Sequence, residues 1–600
     1  MIRIADYIMG RIYDEGVRHL FYVPGGQCVY LTDALRRKEG LEGISVHHEQ
    51  AAAMAALTYS LYNENIGACL VTTGCAGTNT ITGVLHAWQD SIPCIFISGQ
   101  QSLDQTIAFS GLPLRQVGIQ EADIVTIVSS ITKYAVMIDD PEMIAYHLDR
   151  AINEARNGRQ GPVWLDVPLN IQNMMVDEKK LLRYTPGETD TMQLSDEDYQ
   201  YVAQCFEKAE RPVLLIGEGV RRAGGVDAFR RFVKNHEVPV VFTRFAADML
   251  PFQDELNFGV VGAGGASRNA NFTIQNADMV LSIGCRLAIE VTGPEREQFA
   301  REAVMLVVDI DKVEHSKKGV HIDRFLHCDA KEFLEHLDNM ELKPASQEWI
   351  DKCHHWKEIF RPYDENANEA EWIDIKFFLE KLSEELPPGA VVLSDAGLTG
   401  AVTTGACHLK EGQRAIASLA QGEMGYVLPA AIGVGPICEG MVIAVSGDGS
   451  IMMNLQELQT VVRNGFNIKI VIMNNNGYSG VRHGQKAHFR GKSIGTDPSN
   501  GIDFPDYGKI AQAFGIAYCK INDVKEIDGG IQEMLANDGP FICEVICDPE
   551  QVDLHNGLVT YGKRKFGFRP IEDQSPFIDR ETFFKEMIVK PLETSYGEPV

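Results

Sequence analysis

Met441-Val-Ile-Ala-Val-Ser-Gly447-Asp448-Gly449-Ser450, followed by Ile468-Lys-Ile-Val-Ile-Met-Asn474 and then Asn475-Asn476-Gly477-Tyr478, decides how this chain is read. Two apolar runs of strand length bracket a helix-like segment, the pattern of a parallel sheet buried on both faces. The first run delivers the chain to an aspartate between two glycines. Glycine lets the backbone come close to an anion, and a helix starting near Ser450 would turn free N–H groups toward it. Asp448 is an oxygen donor of the hard type that Mg²⁺ prefers. The second run emerges at the same sheet edge and brings the Asn475 amide and a turn carbonyl at Gly477. The pattern predicts an oxygen-rich site for a metal and a diphosphate, with Gly447, Asp448, Gly449, Ser450, Asn475, Gly477 and Tyr478 around it. A Gly-Asp-Gly alone is an ordinary strand-end turn, and the asparagine run on the next strand supplies the specificity.

Outward from this pair the chain reads as three α/β units. The first, residues 1–173, has apolar runs at 19–23, 44–48, 67–73, 92–98 and 162–167, an amphipathic stretch at 3–16 and an Ala-rich helical stretch at 49–62. A polar segment at 174–194, holding Pro186-Gly187, reads as a linker. The second unit, 195–340, has runs at 211–217, 238–243, 277–284 and 304–311, and a charged helical stretch at 340–370 reads as a second connection. The third unit, 371–550, adds runs at 390–395 and 541–545, and 551–600 is a tail ending in a helix near 580–588, a candidate active-site lid. The expected fold class is α/β, with three doubly wound parallel-sheet domains.

The 600 residues carry 55 Lys and Arg against 83 Asp and Glu, a formal charge of −28. Phosphate backbones demand clustered cations, so a nucleic-acid surface is excluded. A cofactor diphosphate would therefore be held by backbone amides and a metal. Apolar stretches fall short of membrane-spanning length, and Met1-Ile-Arg-Ile-Ala-Asp-Tyr7 lacks a signal-peptide core. The 13 cysteines, scattered without paired spacing, read as reduced thiols of a cytoplasmic protein.

Three further segments join the opening pair. His48-Glu49-Gln-Ala-Ala-Ala-Met places a carboxylate at a strand-to-helix junction before small apolar residues. Gln421-Gly422-Glu-Met424-Gly-Tyr and Asp395-Ala-Gly397-Leu398-Thr lie before the Gly-Asp-Gly strand. Together these resemble the thiamine-diphosphate (ThDP) dependent enzymes. The resemblance implies that Asp448 and Asn475 bind Mg²⁺ through side chains and Gly477 through its carbonyl. It implies that Glu49 hydrogen-bonds the pyrimidine N1′ of the cofactor, making the 4′-amino group basic; a carboxyl in an apolar setting keeps its proton for that task. Gly422 would accept from the 4′-amino group, Met424 would hold the cofactor bent, and the backbone at Gly397 and Leu398 would approach the diphosphate.

Pro24-Gly25-Gly26, Thr73-Gly-Cys-Ala-Gly-Thr-Asn79, Ala87-Trp-Gln-Asp-Ser-Ile-Pro93 and Gly161-Pro-Val-Trp-Leu-Asp-Val-Pro168 are similar to acetolactate synthase segments. The paired histidines of the pyruvate-decarboxylase branch are missing from Phe109-Ser-Gly-Leu112. The chain departs from the acetolactate synthase pattern in three places: Gly-Pro-Gly-Ala reads Gly74-Cys-Ala-Gly77, the acceptor-pocket tryptophan gives way to Val481-Arg-His-Gly-Gln485, and the tail differs. These departures resemble homologues of sugar and polysaccharide biosynthesis. Gly25, Gly26 and Gln120 are expected near the substrate, with Arg482 and His483 either meeting a polar acceptor or lying in an exposed loop. The family's structural FAD is left open: Gly217-Glu-Gly219, Gly284-Cys-Arg286 and Asp309-Ile-Asp311 resemble part of its site, but Gly-Met-His-Gly reads Gly262-Ala-Gly-Gly265.

The expected activity is decarboxylation of a 2-oxo acid, pyruvate first, with transfer of the acyl carbanion to a keto acid, ketone or keto sugar. The cofactor's thiazolium takes up the electrons when CO₂ leaves. The alternatives are a non-ligating 2-oxo acid decarboxylase, a cyclic 1,2-dione hydrolase, a non-catalytic regulatory subunit on the same fold and, resting only on the Gly217 region, a dehydrogenase. A binding module has no use for Glu49 beside Asp448 and Asn475. The resemblance also implies a homodimer at minimum, often doubled to a homotetramer.

Overall fold

A computed structural model describes the whole chain except residues 188–191, 419, 564 and 600; part of the sequence-read linker therefore lies outside the described residues. Three six-stranded sheets, parallel throughout, organise the molecule. The first runs Glu42–Ser45, His19–Tyr22, Gly67–Val71, Cys94–Gln100, Val163–Pro168, Tyr134–Met137, and the third runs Arg414–Ala417, Val391–Ser394, Val442–Gly447, Ile468–Asn474, Phe541–Ile546, Ala517–Ile521. Numbered within each unit, both have the order 2-1-3-4-6-5, so the first and third units share a topology that no short sequence repeat announces. The central sheet has the order 3-2-1-4-5-6: Asn257–Val260, Val240–Phe242, Pro212–Ile216, Met279–Ile283, Val304–Asp309, Arg324–His327. In such open sheets ligands bind at the carboxyl ends of the strands, where the winding direction reverses.

Central strands such as Val442–Gly447 and Ile468–Asn474 are almost wholly buried, as parallel pairing covered on both faces demands. The helix Glu49–Asn63 is buried from Ala51 to Leu61, apolar all round because it lies inside the protein. It packs on Val427–Val434 of the third unit so closely that a Cβ on Gly433 would stand 2.3 Å from the Ala55 carbonyl oxygen. One continuous core consequently spans the first and third units. The central unit is joined to the third by a similar contact: a Cβ on Gly265 would lie 1.8 Å from the Ala401 carbonyl oxygen.

All three units meet at an ion network that is buried at Asp248 and Arg221. Asp248 of the central unit lies 2.5 Å from Arg221 Nη2 and 2.8 Å from Arg414 Nε, and Glu64 of the first unit pairs with the same two arginines at 3.1 and 3.4 Å. Each buried charge here has an opposite partner, which such burial requires.

The helix Gln347–Ile359, in the stretch read as a connection, belongs to the central core through Trp349 and Trp356. Trp349 Nε1 donates to the Pro212 carbonyl. The tail also joins that core, through Ile571 and Phe583. From His555 onward its hydrogen bonds run within the tail, to the central unit or to the helix packed on it: Asn271 Nδ2 donates to the Ile571 carbonyl, Gln275 Nε2 to Glu572, and Trp356 Nε1 to Glu586.

Candidate active site

The third sheet reverses between Val391–Ser394 and Val442–Gly447, so Asp395-Ala396-Gly397 and Gly447-Asp448-Gly449 face one crevice. Asp448 is 1% exposed. Its Oδ1 accepts from Gly449 N at 2.8 Å and its Oδ2 from Gly477 N at 2.8 Å. Burial raises its pKa to about 6, against the backbone donors and the nearby Arg482 charge that lower it. Asn475 is also buried, and its Nδ2 donates to Ser479 Oγ at 3.0 Å, which turns the amide so that Oδ1 is the end free to ligate. Gly477 has φ +141°, and a Cβ there would meet the Thr496 carbonyl oxygen at 2.1 Å. Gly449 lies under the Tyr478 ring, where a Cβ would come within 2.1 Å of Cε1.

The helix expected near Ser450 begins there, but not as a regular α-helix. Ile451–Glu457 is a 3₁₀ segment broken at Asn454, whose φ is −136°. Asn454 leaves the helical path to donate to the Gly425 carbonyl at 2.8 Å. The ordered helix end at the crevice is that of Gly397–Ala406, and Leu398 in its first turn packs against the core. Gly397, Gly422 and Gly447 each face open space where a side chain would begin, a cradle that a Cβ would narrow. Asp395, fully buried, accepts from Ala396 N, Gly425 N, Tyr426 N and Ser446 Oγ. It thereby ties the strand end to the loop carrying Gly422 and Met424. Among the described residues no three His, Cys, Asp or Glu side chains converge on a metal position. The donor set is one carboxylate, one amide oxygen and one carbonyl, which suits a cation that keeps water and phosphate oxygens as its other ligands.

The second half-site lies at the carboxyl edge of the first sheet. Glu49 opens its helix, half-buried, and accepts from Asn79 Nδ2 at 2.9 Å. Asn79 ends the turn that begins at Gly74, where a Cβ would meet the Gln120 carbonyl oxygen at 1.9 Å. A Cβ on Gly25 would lie 2.4 Å from the Thr72 side chain, while Gly26 faces open space. Gly25, Gly26, Gln120 and Glu49 thus share one edge. Among the described residues no hydrogen bond links Glu49 or Asn79 to the 447–450 or 474–478 loops. The first and third units touch instead through His47 N on Glu457, Asn454 on Gln50, and His86 on Glu423.

Arg482 is corrected as a substrate contact. Its guanidinium points inward from the helix Ser479–His488, 3% exposed, and donates to the carbonyls of Asn475, Asn476 and Pro549. It braces the 475–477 loop from behind. His483 stands 3.6 Å from Glu550, which also pairs with Lys486 at 2.9 Å. Sequence reasoning missed Asp395 as a clamp, Asn79 as the partner of Glu49, and Tyr507, whose hydroxyl donates to the Asp448 carbonyl.

The central sheet reverses between Pro212–Ile216 and Met279–Ile283. There a cavity of about 370 Å³ opens among Gly217, Gly219, Arg222, Gly284, Arg286 and Asp309. Gly217 and Gly219 are accounted for by the close approach of Gly284, whose atoms would lie 2.2 and 2.6 Å from added Cβ atoms. Beside them Arg222 Nη2 lies 3.2 Å from Glu218 Oε1, while Arg222 Nε and Glu218 Oε2 are buried with no hydrogen-bond partner among the described residues.

Three family models match in order along the chain: the thiamine pyrophosphate enzyme N-terminal TPP binding domain over residues 2–127, the central domain over 199–337, and the C-terminal TPP binding domain over 395–545. The chain is 30% identical over 553 residues to the acetolactate synthase isozyme 2 large subunit of Escherichia coli K12, covering 91% of this chain and 95% of that protein. It is 31% identical over 546 residues to the acetolactate synthase large subunit of Corynebacterium glutamicum, covering 88% and 84%, and 29% identical over 557 residues to that of Lactococcus lactis, covering 90% and 92%.

Gly477→Ala is expected to fold but to weaken Mg²⁺ binding in the presence of ThDP by ~10- to 100-fold, the usual cost of disturbing the groups that orient a ligand. Calorimetric titration measures this, and an unchanged affinity would show that the loop is not the metal site.

Proposed function

From a chain that belongs to the thiamine pyrophosphate enzymes, among the relatives of the acetolactate synthase large subunits, we propose a Mg²⁺-dependent carboligase that takes an acyl unit from pyruvate and delivers it to a carbonyl acceptor. One observation carries this reading: the chain holds both an activating carboxylate, Glu49 oriented by Asn79, and a glycine-framed acid, Asp448, at a sheet reversal.

Asp448, Asn475 Oδ1 and the Gly477 carbonyl hold Mg²⁺, and the first turn of Gly397–Ala406 receives the diphosphate. When bound, ThDP supplies the electron sink for loss of CO₂. Glu49 holds the proton shared with the pyrimidine N1′. The Gly422 carbonyl would accept from the cofactor's 4′-amino group, and Met424 would support the cofactor from the same loop. Gly25, Gly26 and Gln120 bound the space for the 2-oxo acid. With Arg482 turned inward, His483 remains the candidate contact for a polar acceptor.

The half-sites are not joined within one chain, so a second copy completes the site. Exposed apolar residues near each half agree with this: Phe109, Leu112, Leu114 and Ile119 beside Gln120, and Met452 and Met453 beyond Ser450. The minimum unit is a homodimer, with a tetramer its natural doubling. The central cavity has the size of a small-molecule site, and its glycine-lined strand ends at a sheet reversal suit a dinucleotide such as FAD. A flavin absorbance released by denaturing the purified protein tests that occupant, and a colourless protein would remove it.

Incubation with pyruvate, ThDP and Mg²⁺, with products identified by mass spectrometry, tests the function. A ligated product, either acetolactate or an adduct of an added ketone or keto sugar, is expected, and Glu49→Gln is expected to lose it by at least ~100-fold. Acetaldehyde alone would make the protein a simple decarboxylase, and full activity in Glu49→Gln would sink the assignment of that carboxylate.

A further inference from the structure

The loop carrying Gly422 and Met424 is fastened at several points besides the Asn454 bond to the Gly425 carbonyl. Gln421 Nε2 donates to the Thr82 carbonyl of the first unit at 3.2 Å. Ser418 Oγ donates to Glu423 Oε2. Gly425 N and Tyr426 N donate to Asp395. A further fastening is a histidine from the first domain. His86, on the helix Ile81–Gln89, is fully buried, and its Nδ1 lies 2.5 Å from Glu423 Oε1. Its Nε2 lies 3.1 Å from Asp90 Oδ2, at ion-pair distance though off the hydrogen-bond axis. The imidazole packs against the Tyr426 ring with centroids 5.1 Å apart, and the Tyr426 hydroxyl shares a hydrogen bond with Thr58.

Both ring nitrogens face carboxylate oxygens. A neutral imidazole has one N–H and one lone pair, so one carboxylate would face a lone pair; only the imidazolium presents two donors. Burial alone lowers the imidazole pKa, but the Glu423 carboxylate and the Asp90 carboxylate beside the other ring nitrogen outweigh it and lift the group to about 10. Burial likewise raises Glu423, and His86 with Ser418 overcomes it, so its pKa ends below the ordinary value. A charged pair this deep is costly to assemble, and the residue it grips lies between Gly422 and Met424.

We propose that His86, clasped between Asp90 and Glu423, is a positioning residue that fixes the Gly422 carbonyl and the Met424 side chain against the cofactor's pyrimidine, so that the first domain sets the geometry of a loop belonging to the third. This rests on the reading of Gly422 and Met424 given above. Because the clasp joins two domains, it also couples their relative placement to cofactor binding.

The test uses the full-length protein and reads the ThDP concentration for half-maximal turnover, kcat, the circular-dichroism band of the bound cofactor and the melting temperature without ThDP. His86→Gln and Glu423→Gln are each expected to raise the half-saturating ThDP concentration by ~10-fold or more, to lower kcat and to alter the band, since small misplacements near reacting groups are costly. The double variant is expected to be less impaired than the sum of the singles, because the two charges that face each other across the domains are removed together. If His86→Gln does not fold, Ser418→Ala carries the test, with a smaller rise in the same direction. A lower melting temperature with unchanged ThDP saturation, kcat and band would overturn the proposal and leave a structural brace. Met424→Ala separates the two layers of the argument. If it shifts ThDP saturation and the His86 and Glu423 variants do not, only the positioning role fails; if it shifts nothing, the reading of the loop itself has failed.

Discussion

A buried aspartate with no cation side chain in ion-pair contact is the constraint around which the third domain is arranged. Asp448 gives both carboxylate oxygens to backbone N–H groups, and those groups reach it only because glycine stands at 449 and 477. Asn475, Gly477 and Tyr478 are placed by the adjacent parallel strand, Arg482 braces their carbonyls, and Tyr507 holds the carbonyl of Asp448 itself. A buried carboxylate with spare lone pairs and no cation in ion-pair contact is unfavourable, and a bound divalent ion would relieve it. The net charge of −28 agrees with anion binding through a metal and backbone amides.

The domains are interlocked where function requires placement. The helix opened by Glu49 is buried against Val427–Val434, the Gly265 loop presses on the helix that begins at Gly397, and Asp248 with Glu64 holds arginines of the central and third units. The tail adds to the central unit. Its contacts with Asn271, Gln275 and Trp356 make it part of that domain's core, so any covering motion would begin from an anchored base.

Much of the fold was legible because parallel strands in the middle of a sheet must be apolar over their length. What escaped were the edges. Tyr134–Met137, Asn257–Val260, Arg324–His327, Arg414–Ala417 and Ala517–Ile521 each border a sheet on one side only, and their mixed patterns carry less signal. At the site, Gly447-Asp448-Gly449 and Glu49 were readable because each is a local motif. Arg482 was misread because its sequence suits an exposed loop, whereas the helix turns it inward. The His86–Glu423 pair could not be read at all, since its partners stand 337 positions apart and meet only when two domains pack.

The central claim is that one active site needs Glu49 from one copy and Asp448 from another. The direct measurement is pyruvate turnover by protein co-expressed from Glu49→Gln and Asp448→Asn chains, each inactive alone. Random pairing makes half the dimers hybrids, each with one doubly altered site and one intact site, so about a quarter of wild-type activity should return. If the mixture stays as inactive as its parents while the hybrid dimers are shown to form, the two residues serve a site within one chain and the account is wrong.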